Sequence, residues 1–291
     1  MAVLCSLFIF SRPLPAKPGE GPELAVGPQY DSTHVYVAAA DFDTFVKSLL
    51  ATLGGKASPR IPSTVTPTTS RAQFQIVQTP MGILSIFTYE TPIPYPFGLE
   101  RTGWLVSDMD RALKVARDNG AAVIVDKWRD PIGDDAIIEW PGGVKMQLYI
   151  HSTPPKYPPL DAVPETRFYV SRDRAEQFVH GMLGFSQGKI VSDDPRADGG
   201  ELGKPGDTFR RIRLDSHFGK LQVNVTDGHL PYPFGYEITG YEVRDLDATL
   251  AKARANGVAI LSTRFDGVDR SSVIVQFPGG YFAELHQLRP H

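Results

Sequence analysis

Histidine is scarce in this 291-residue chain, with seven copies, and cysteine occurs once, as Cys5. The spacing that stands out is Glu284 and His286 in "YFAELHQL". In an extended strand, side chains two residues apart share a face. A carboxylate and an imidazole on one face are candidates for catalysis and for metal ligation. Another imidazole, His34, opens the strand-like run "THVYV". Arg167 stands at the head of "TRFYV", an otherwise apolar run. A charge in that position is either exposed at a rim or paired, and Glu284 is a candidate partner. Such a pair would compete with a metal for the glutamate. Other chemistries lack their signatures. There is no phosphate-binding glycine loop, no dinucleotide fingerprint and no nucleophile elbow, so no nucleotide cofactor is expected. One cysteine excludes an intrachain disulfide framework and a multi-cysteine zinc site. The carboxylates of "DDPRADGG" at 193–200 lack the spacing and closing glutamate of a calcium loop, and this segment reads as a solvated loop.

The elements that position these residues are legible through a repeat. "PYPFG" occurs at 94–98 and again at 231–235. With the chain offset by 137 residues, 94–151 lies over 231–288 without a gap, and 22 of the 58 positions are identical. That density marks a duplicated unit. Each copy begins with a strand-like run, "TGWLV" or "TGYEV", followed by a helix that Asp108 or Asp245 is placed to cap. Gly120 and Gly257 follow as helix stops. Three strand-like runs come next, the last two joined by "PGG", a hairpin turn by composition. The unit is β-α-β-β-β. Weaker versions start at Thr33 and Thr166, each with a long polar loop after its helix. Four modules therefore run in two pairs, joined by the proline-rich linker 151–165. Two domains are expected, 28–155 and 162–291, each with its own core and with helices outside a sheet curved around a cavity.

Net charge is −3, and no basic run stands out apart from "RRIR" at 210–213, which alternates like a strand, so neither nucleic acid nor an anionic membrane is an expected partner. The N-terminal arm, 1–27, opens with "AVLCSLFIF", too short an apolar run to cross a bilayer. It resembles part of a secretory signal but lacks the preceding positive residues. A cytoplasmic location is expected, with export through a short or truncated signal as the alternative. The arm as far as Gly27 reads as loosely draped. The chain is expected to act as a monomer or homodimer.

With these residues in place, the chain resembles the vicinal oxygen chelate superfamily, which includes glyoxalase I, bleomycin-resistance proteins, fosfomycin-resistance enzymes and extradiol dioxygenases. The resemblance covers roughly 30–288 and rests on "V.DMD..L..A...GA" at 106–122, "V.DLD..L..A...GV" at 243–258, and the terminal "WPGGVKMQLY" and "FPGGYFAELH". It implies an α+β fold of tandem glyoxalase-like domains. Each would consist of two βαβββ modules whose mixed sheet curves around a cavity. It also implies a divalent transition metal (Fe, Mn, Ni, Co or Zn) held by His, Glu or Gln on the first and last strands of modules. His34, Gln147 and Glu284 match such positions, and His286 adds a neighbouring donor. Thr102–Gly103 and Thr239–Gly240 supply no imidazole or carboxylate, so neither half offers the three ligands that a catalytic metal needs.

Period-two alternation places His34 with Tyr36, Trp104 with Val106, and Gln147 with Tyr149 on inward faces of the first pair. In the second pair it places Arg167 with Tyr169, Tyr241 with Val243, and Glu284 with His286. Tyr36, Trp104, Tyr149, Arg167, Tyr169 and Tyr241 are thus candidate substrate-binding residues. Aromatic walls with a few polar groups suit a small organic ligand. The reading favoured by the resemblance is a metal-dependent lyase or dioxygenase acting on a small oxygenated or carbonyl compound. Its alternative is metal-free binding of a small molecule. The C-terminal cavity, with Glu284 and His286 as its catalytic pair, is the expected site.

Overall fold

A computed structural model of the chain describes residues 23–227 and 237–289. The signal-like segment and the second "PYPFG" lie outside these residues. The first module comprises β1 (Ser32–Tyr36), α1 (Phe42–Leu53), β2 (Lys56–Ala57), β3 (Ile61–Ser63), β4 (Ala72–Thr79) and β5 (Gly82–Tyr89). The second comprises β6 (Thr102–Leu105), α2 (Met109–Asp118), β7 (Ala122–Arg129), β8 (Gly133–Trp140) and β9 (Val144–His151). The third comprises β10 (Glu165–Val170), α3 (Arg172–Ser186), β11 (Lys189–Asp198), a 3-10 turn at Gly199–Leu202, β12 (Thr208–Ser216) and β13 (Gly219–Val225). The fourth comprises β14 (Glu237–Glu242), α4 (Leu246–Ala255), β15 (Ala259–Ile260), β16 (Phe265–Asp266), β17 (Arg270–Gln276) and β18 (Phe282–Leu288).

Local chemistry explains the helix bounds. The Asp108 carboxylate accepts from the Arg111 backbone N–H at 3.0 Å, and Asp245 accepts from Ala248 at 2.9 Å. Each satisfies an otherwise unpaired N–H of the first turn. Past the last turn, Gly120 and Gly257 take φ of +89° and +80°, a region open to glycine and costly for other residues.

The described residues form two nine-stranded mixed sheets, one from each pair of modules. In the first, the modules join where β1 pairs antiparallel with β6, while β1 runs parallel to β5 and β6 parallel to β9. In the second, β10 joins β14 in the same way.

The helices lie between the sheets, so the cores are shared rather than separate. α1 packs on α4, and α2 on α3. One buried cluster mixes Trp104, Met109 and Leu113 with Phe178, Met182 and Phe185. The other mixes Phe42, Phe45 and Leu49 with Leu246, Leu250 and Phe277. Each sheet has one apolar face lined by amphipathic helices, and stacking the two helix layers removes both from water at once. The open face of each sheet is left free to curve around its own contents.

Two connecting segments differ from their reading in the sequence. Leu24 and Ala25 of the arm are buried in the shared core, and Ala25 bridges Val106, so this end of the arm is inserted rather than draped. The segment 193–200, expected as a solvated loop, is the end of β11 and the start of the 3-10 turn. Arg210 and Arg211 on β12 pair with Asp193 and Asp194, which gives these carboxylates a strand partner.

Candidate functional site

On the open face of the first sheet, β1, β4, β5 and β9 curve around a cavity of ≈ 910 Å³, counting its open mouth. His34 and Tyr36 enter it from β1, Phe74 and Ile76 from β4, Phe87 from β5, and Gln147 and Tyr149 from β9. The alternation of side chains along each strand selects this set. Phe87 anchors one wall: its ring lies 5.2 Å from Tyr36 and 5.1 Å from Phe74, with the His34 edge at 5.6 Å. Tyr157 of the interdomain linker reaches back to the cavity, 6.0 Å from Tyr30. Ile61 and Ile132, each about half exposed, stand at the rim.

Gly103 on β6 makes room for the deepest polar groups. A Cβ there would lie 2.6 Å from His34 Nε2 and 3.0 Å from both Ser32 Oγ and a ring carbon of Tyr149. His34 is 2% exposed and its Nδ1 has no hydrogen-bond partner. Glu100 Oε1 stands 3.9 Å from that nitrogen and accepts the hydroxyl proton of Tyr36. Burial and the Glu100 charge together hold the Tyr36 hydroxyl in its neutral form, well above its ordinary range. Asp135 on β8 lines the cavity opposite Tyr149. Burial and the neighbouring Asp130 push its carboxyl well above the usual carboxylate range, against a hydrogen bond from Gln147.

The open face of the second sheet is filled. Tyr169 packs with Ala197, Leu202, Phe209 and Ile238 in a small buried cluster. Beside it lies a buried charge network centred on Arg167, which is 1% exposed. Its guanidinium meets Glu284 at 2.8 Å, Glu165 at 3.6 Å, and Glu201 of the 3-10 turn. Arg270 makes a two-pronged pair with Glu165 at 3.0 and 3.2 Å. His286 Nδ1 lies 2.6 Å from Glu284. Burial opposes charge on Glu284, but His286 and Arg167 outweigh it and hold the carboxyl at about 2. The pairing of Arg167 with Glu284 anticipated from the sequence is thus present.

The candidate residues therefore divide into three places. His34, Tyr36, Gln147 and Tyr149 share the first cavity. Arg167, Tyr169, Glu284 and His286 lie in the packed second sheet, where Arg167, Glu284 and His286 form one network. Trp104 and Tyr241 need correction, because both point into the shared helix layer rather than a cavity. Trp104 stacks on Phe218 at 4.3 Å, and the Tyr241 hydroxyl bonds that of Tyr281 at 2.9 Å. The neighbouring glycines, Gly103 and Gly240, take the open face instead. With a period of two, a misjudged starting register moves a side chain to the opposite face.

A catalytic metal does not fit either donor set. Among the described residues, no three His, Cys, Asp or Glu side chains are grouped to hold one. In the second sheet, a guanidinium stands where the first strand would present a ligand, and it has taken the glutamate. In the first, His34 lacks a companion on Gly103, and Gln147 is engaged with Asp135. His34, Gln147, Glu284 and His286 thus do not form one centre.

No family model matches the sequence, and no curated protein matches it. Solved structures do match. A mutant of 4-hydroxymandelate synthase from Streptomyces coelicolor superposes with a TM-score of 0.60 at 12% identity, over 92% of this chain and 93% of that one. A xylose isomerase-like TIM barrel/4-hydroxyphenylpyruvate dioxygenase fusion protein gives 0.55 at 13% identity, over 95% of this chain and 52% of that one. Both belong to the superfamily that the sequence resembles. The chain has the vicinal oxygen chelate fold. This chain spans about half the length of the fusion protein. Within the vicinal oxygen chelate fold, the two open faces here have unequal contents, one hollow and one packed.

Sequence reading missed Glu100, Asp135, Glu165, Glu201 and Arg270. Glu165, adjacent to Arg167 in strand parity, carried a usable signal, since residues two apart share a face. Glu201 carried none, because only the return of the 3-10 turn beneath the sheet brings it there.

Proposed function

We propose that the protein binds a small, largely apolar organic molecule in the N-terminal cavity, without a resident metal, while the C-terminal sheet is a structural counterpart. One observation carries this reading: the first open face is a hollow walled by Tyr36, Phe74, Phe87 and Tyr149, whereas the second is occupied by the Arg167 network and the Leu202–Phe209 cluster. Aromatic walls with a few convergent polar groups are the usual make-up of small-molecule sites. Any acid–base chemistry in the cavity would fall to His34, the one imidazole deep within it and close to a buried carboxylate.

The test is a ligand-induced thermal shift with a panel of small aromatic compounds on the wild type, Phe87→Ala and Glu284→Gln. Phe87→Ala should abolish the shift in melting temperature. Glu284→Gln should lower the starting melting temperature but leave the ligand-induced increment intact. The opposite pattern would move the site to the C-terminal sheet.

A second reading is an enzyme of the lyase or dioxygenase type acting on a small oxygenated or carbonyl compound. What favours it is the fold shared with a 4-hydroxymandelate synthase and a 4-hydroxyphenylpyruvate dioxygenase fusion. Elemental analysis of protein purified without chelator separates the two. A stoichiometric transition metal would support the enzyme and overturn the metal-free site.

A further inference from the structure

The N-terminal cavity combines aromatic walls with carboxyl and imidazole groups. Its lining includes two carboxyl groups, Asp130 and Asp135, and among the described residues that line it none is Lys or Arg. The nearest guanidinium to the aromatic wall, that of Arg101, sits over the Tyr36 ring at 5.6 Å and gives a hydrogen bond to the Gly98 carbonyl. It belongs to a separate recess formed with Glu237 and Tyr281. On the opposite side, Arg129 pairs with Asp134 and Ser152.

Two observations point to a ligand rather than to a solvated acidic patch. Asp135 is 5% exposed and lies within an aromatic hollow, on the face it shares with Gln147 and Tyr149. His34, 2% exposed in the same hollow, keeps a ring nitrogen without a hydrogen-bond partner. Burial without a cation holds the Asp135 carboxyl in its neutral form, and an ammonium group brought beside it favours the ionised form and pairs with it. Aromatic faces add to this, because their negative quadrupole attracts cations. A carboxylate ligand would find no Lys or Arg among the lining residues, and only the imidazoles of His34 and His151 as basic partners.

We infer that the N-terminal cavity takes a flat aromatic compound bearing a basic nitrogen, with the ring against Phe87 and Tyr36 and the ammonium group facing Asp135. This rests on the reading of the cavity as a small-molecule site and adds the charge class of the ligand. It runs against arylcarboxylates as ligands for this cavity.

Three probes of one shape and different charge test it: 2-phenylethylamine, 2-phenylethanol and 3-phenylpropanoate, titrated calorimetrically at neutral pH. The amine should bind about tenfold more tightly than the alcohol, and the carboxylate should bind most weakly. Asp135→Asn should reduce the preference for the amine over the alcohol to within about threefold while keeping alcohol binding. If Asp135→Asn does not fold, Asp130→Asn should cut the same preference partway. A carboxylate that binds as well as the amine would overturn the inference while leaving the cavity a binding site. So would an amine preference that survives both substitutions. Failure of all three probes to bind would overturn both readings together.

Discussion

Glu284 shows how a residue suited to one chemistry can be committed to another. Its carboxyl is fully buried, yet it is ionised because Arg167 and His286 face it. A carboxyl held at about 2, against an ordinary 4.5, contributes stability that is fully present above pH 4.5 and is lost as pH falls towards 2. That contribution is about 3 kcal/mol. Replacing it with glutamine also leaves Arg167 with one partner fewer, although Glu165 and Glu201 remain. Glu284→Gln should therefore cost roughly 3 kcal/mol at neutral pH, and the gap from wild type should narrow as pH is lowered to 3. Urea denaturation of both proteins at pH 7 and pH 3 checks this. A constant gap would mean that the pair does not titrate as described. His34 is the contrasting case, a buried ring lining a hollow, whose Nδ1 has no hydrogen-bond partner.

At the scale of elements, strand β6 sets where the polar side chains of the first cavity can sit. Its register with β9 puts Gly103 opposite Gln147 and sends Trp104 to the helix side. Gly103 lies behind the lining, and its missing side chain lets His34, Ser32 and the Tyr149 ring pack over it. Gly103→Ala would place a methyl group 2.6 Å from His34 Nε2 and 3.0 Å from the Tyr149 ring, so both must move. The expected result is ligand affinity reduced about tenfold or more with the shared core intact. Titration of 2-phenylethylamine into the variant, alongside circular dichroism, measures both. Unchanged affinity would show that the ligand depends on neither His34 nor the Tyr149 ring. The corresponding glycine, Gly240, is covered in the same way by Glu284 and the Arg167 side chain.

For the whole molecule, the helix layer between the sheets is the decisive feature. Trp104, Met109 and Leu113 of one half bury against Phe178, Met182 and Phe185 of the other, and the second cluster is shared in the same way. Interfaces this apolar do not behave as hinges between independent domains. The two halves should unfold in one cooperative transition, and a fragment ending within the linker at 152–164 should not fold alone. Scanning calorimetry of the full chain, with ANS binding by the fragment 23–155, tests both points. Two separated transitions, or a fragment with a sharp melt and no ANS binding, would show that each half is self-sufficient. The linker is more than a tether, since Tyr157 lines the first cavity and Asp161 pairs with Arg244 at 2.9 Å.

The sequence by itself determined the modules and their order, but not the core that the two halves share. Helix caps, glycine stops, "PGG" turns and the repeat of 94–151 in 231–288 are local signals, each tied to a backbone requirement that no distant contact can override. It also offered Glu284 as a candidate partner for Arg167, and the burial of that arginine, seen only in the fold, is what requires a carboxylate there. Only the tertiary structure decided which cavity is hollow. Strand alternation fixes which side chains travel together, but not which of the two faces they take, so Trp104 and Tyr241 could not be separated from Gly103 and Gly240 by period alone. Nor does local sequence say that Glu201, just after the segment that reads as a solvated loop, lies against Arg167. The charge balance of a buried site is a sum over residues far apart in the chain, and it exists only once the chain has closed around them.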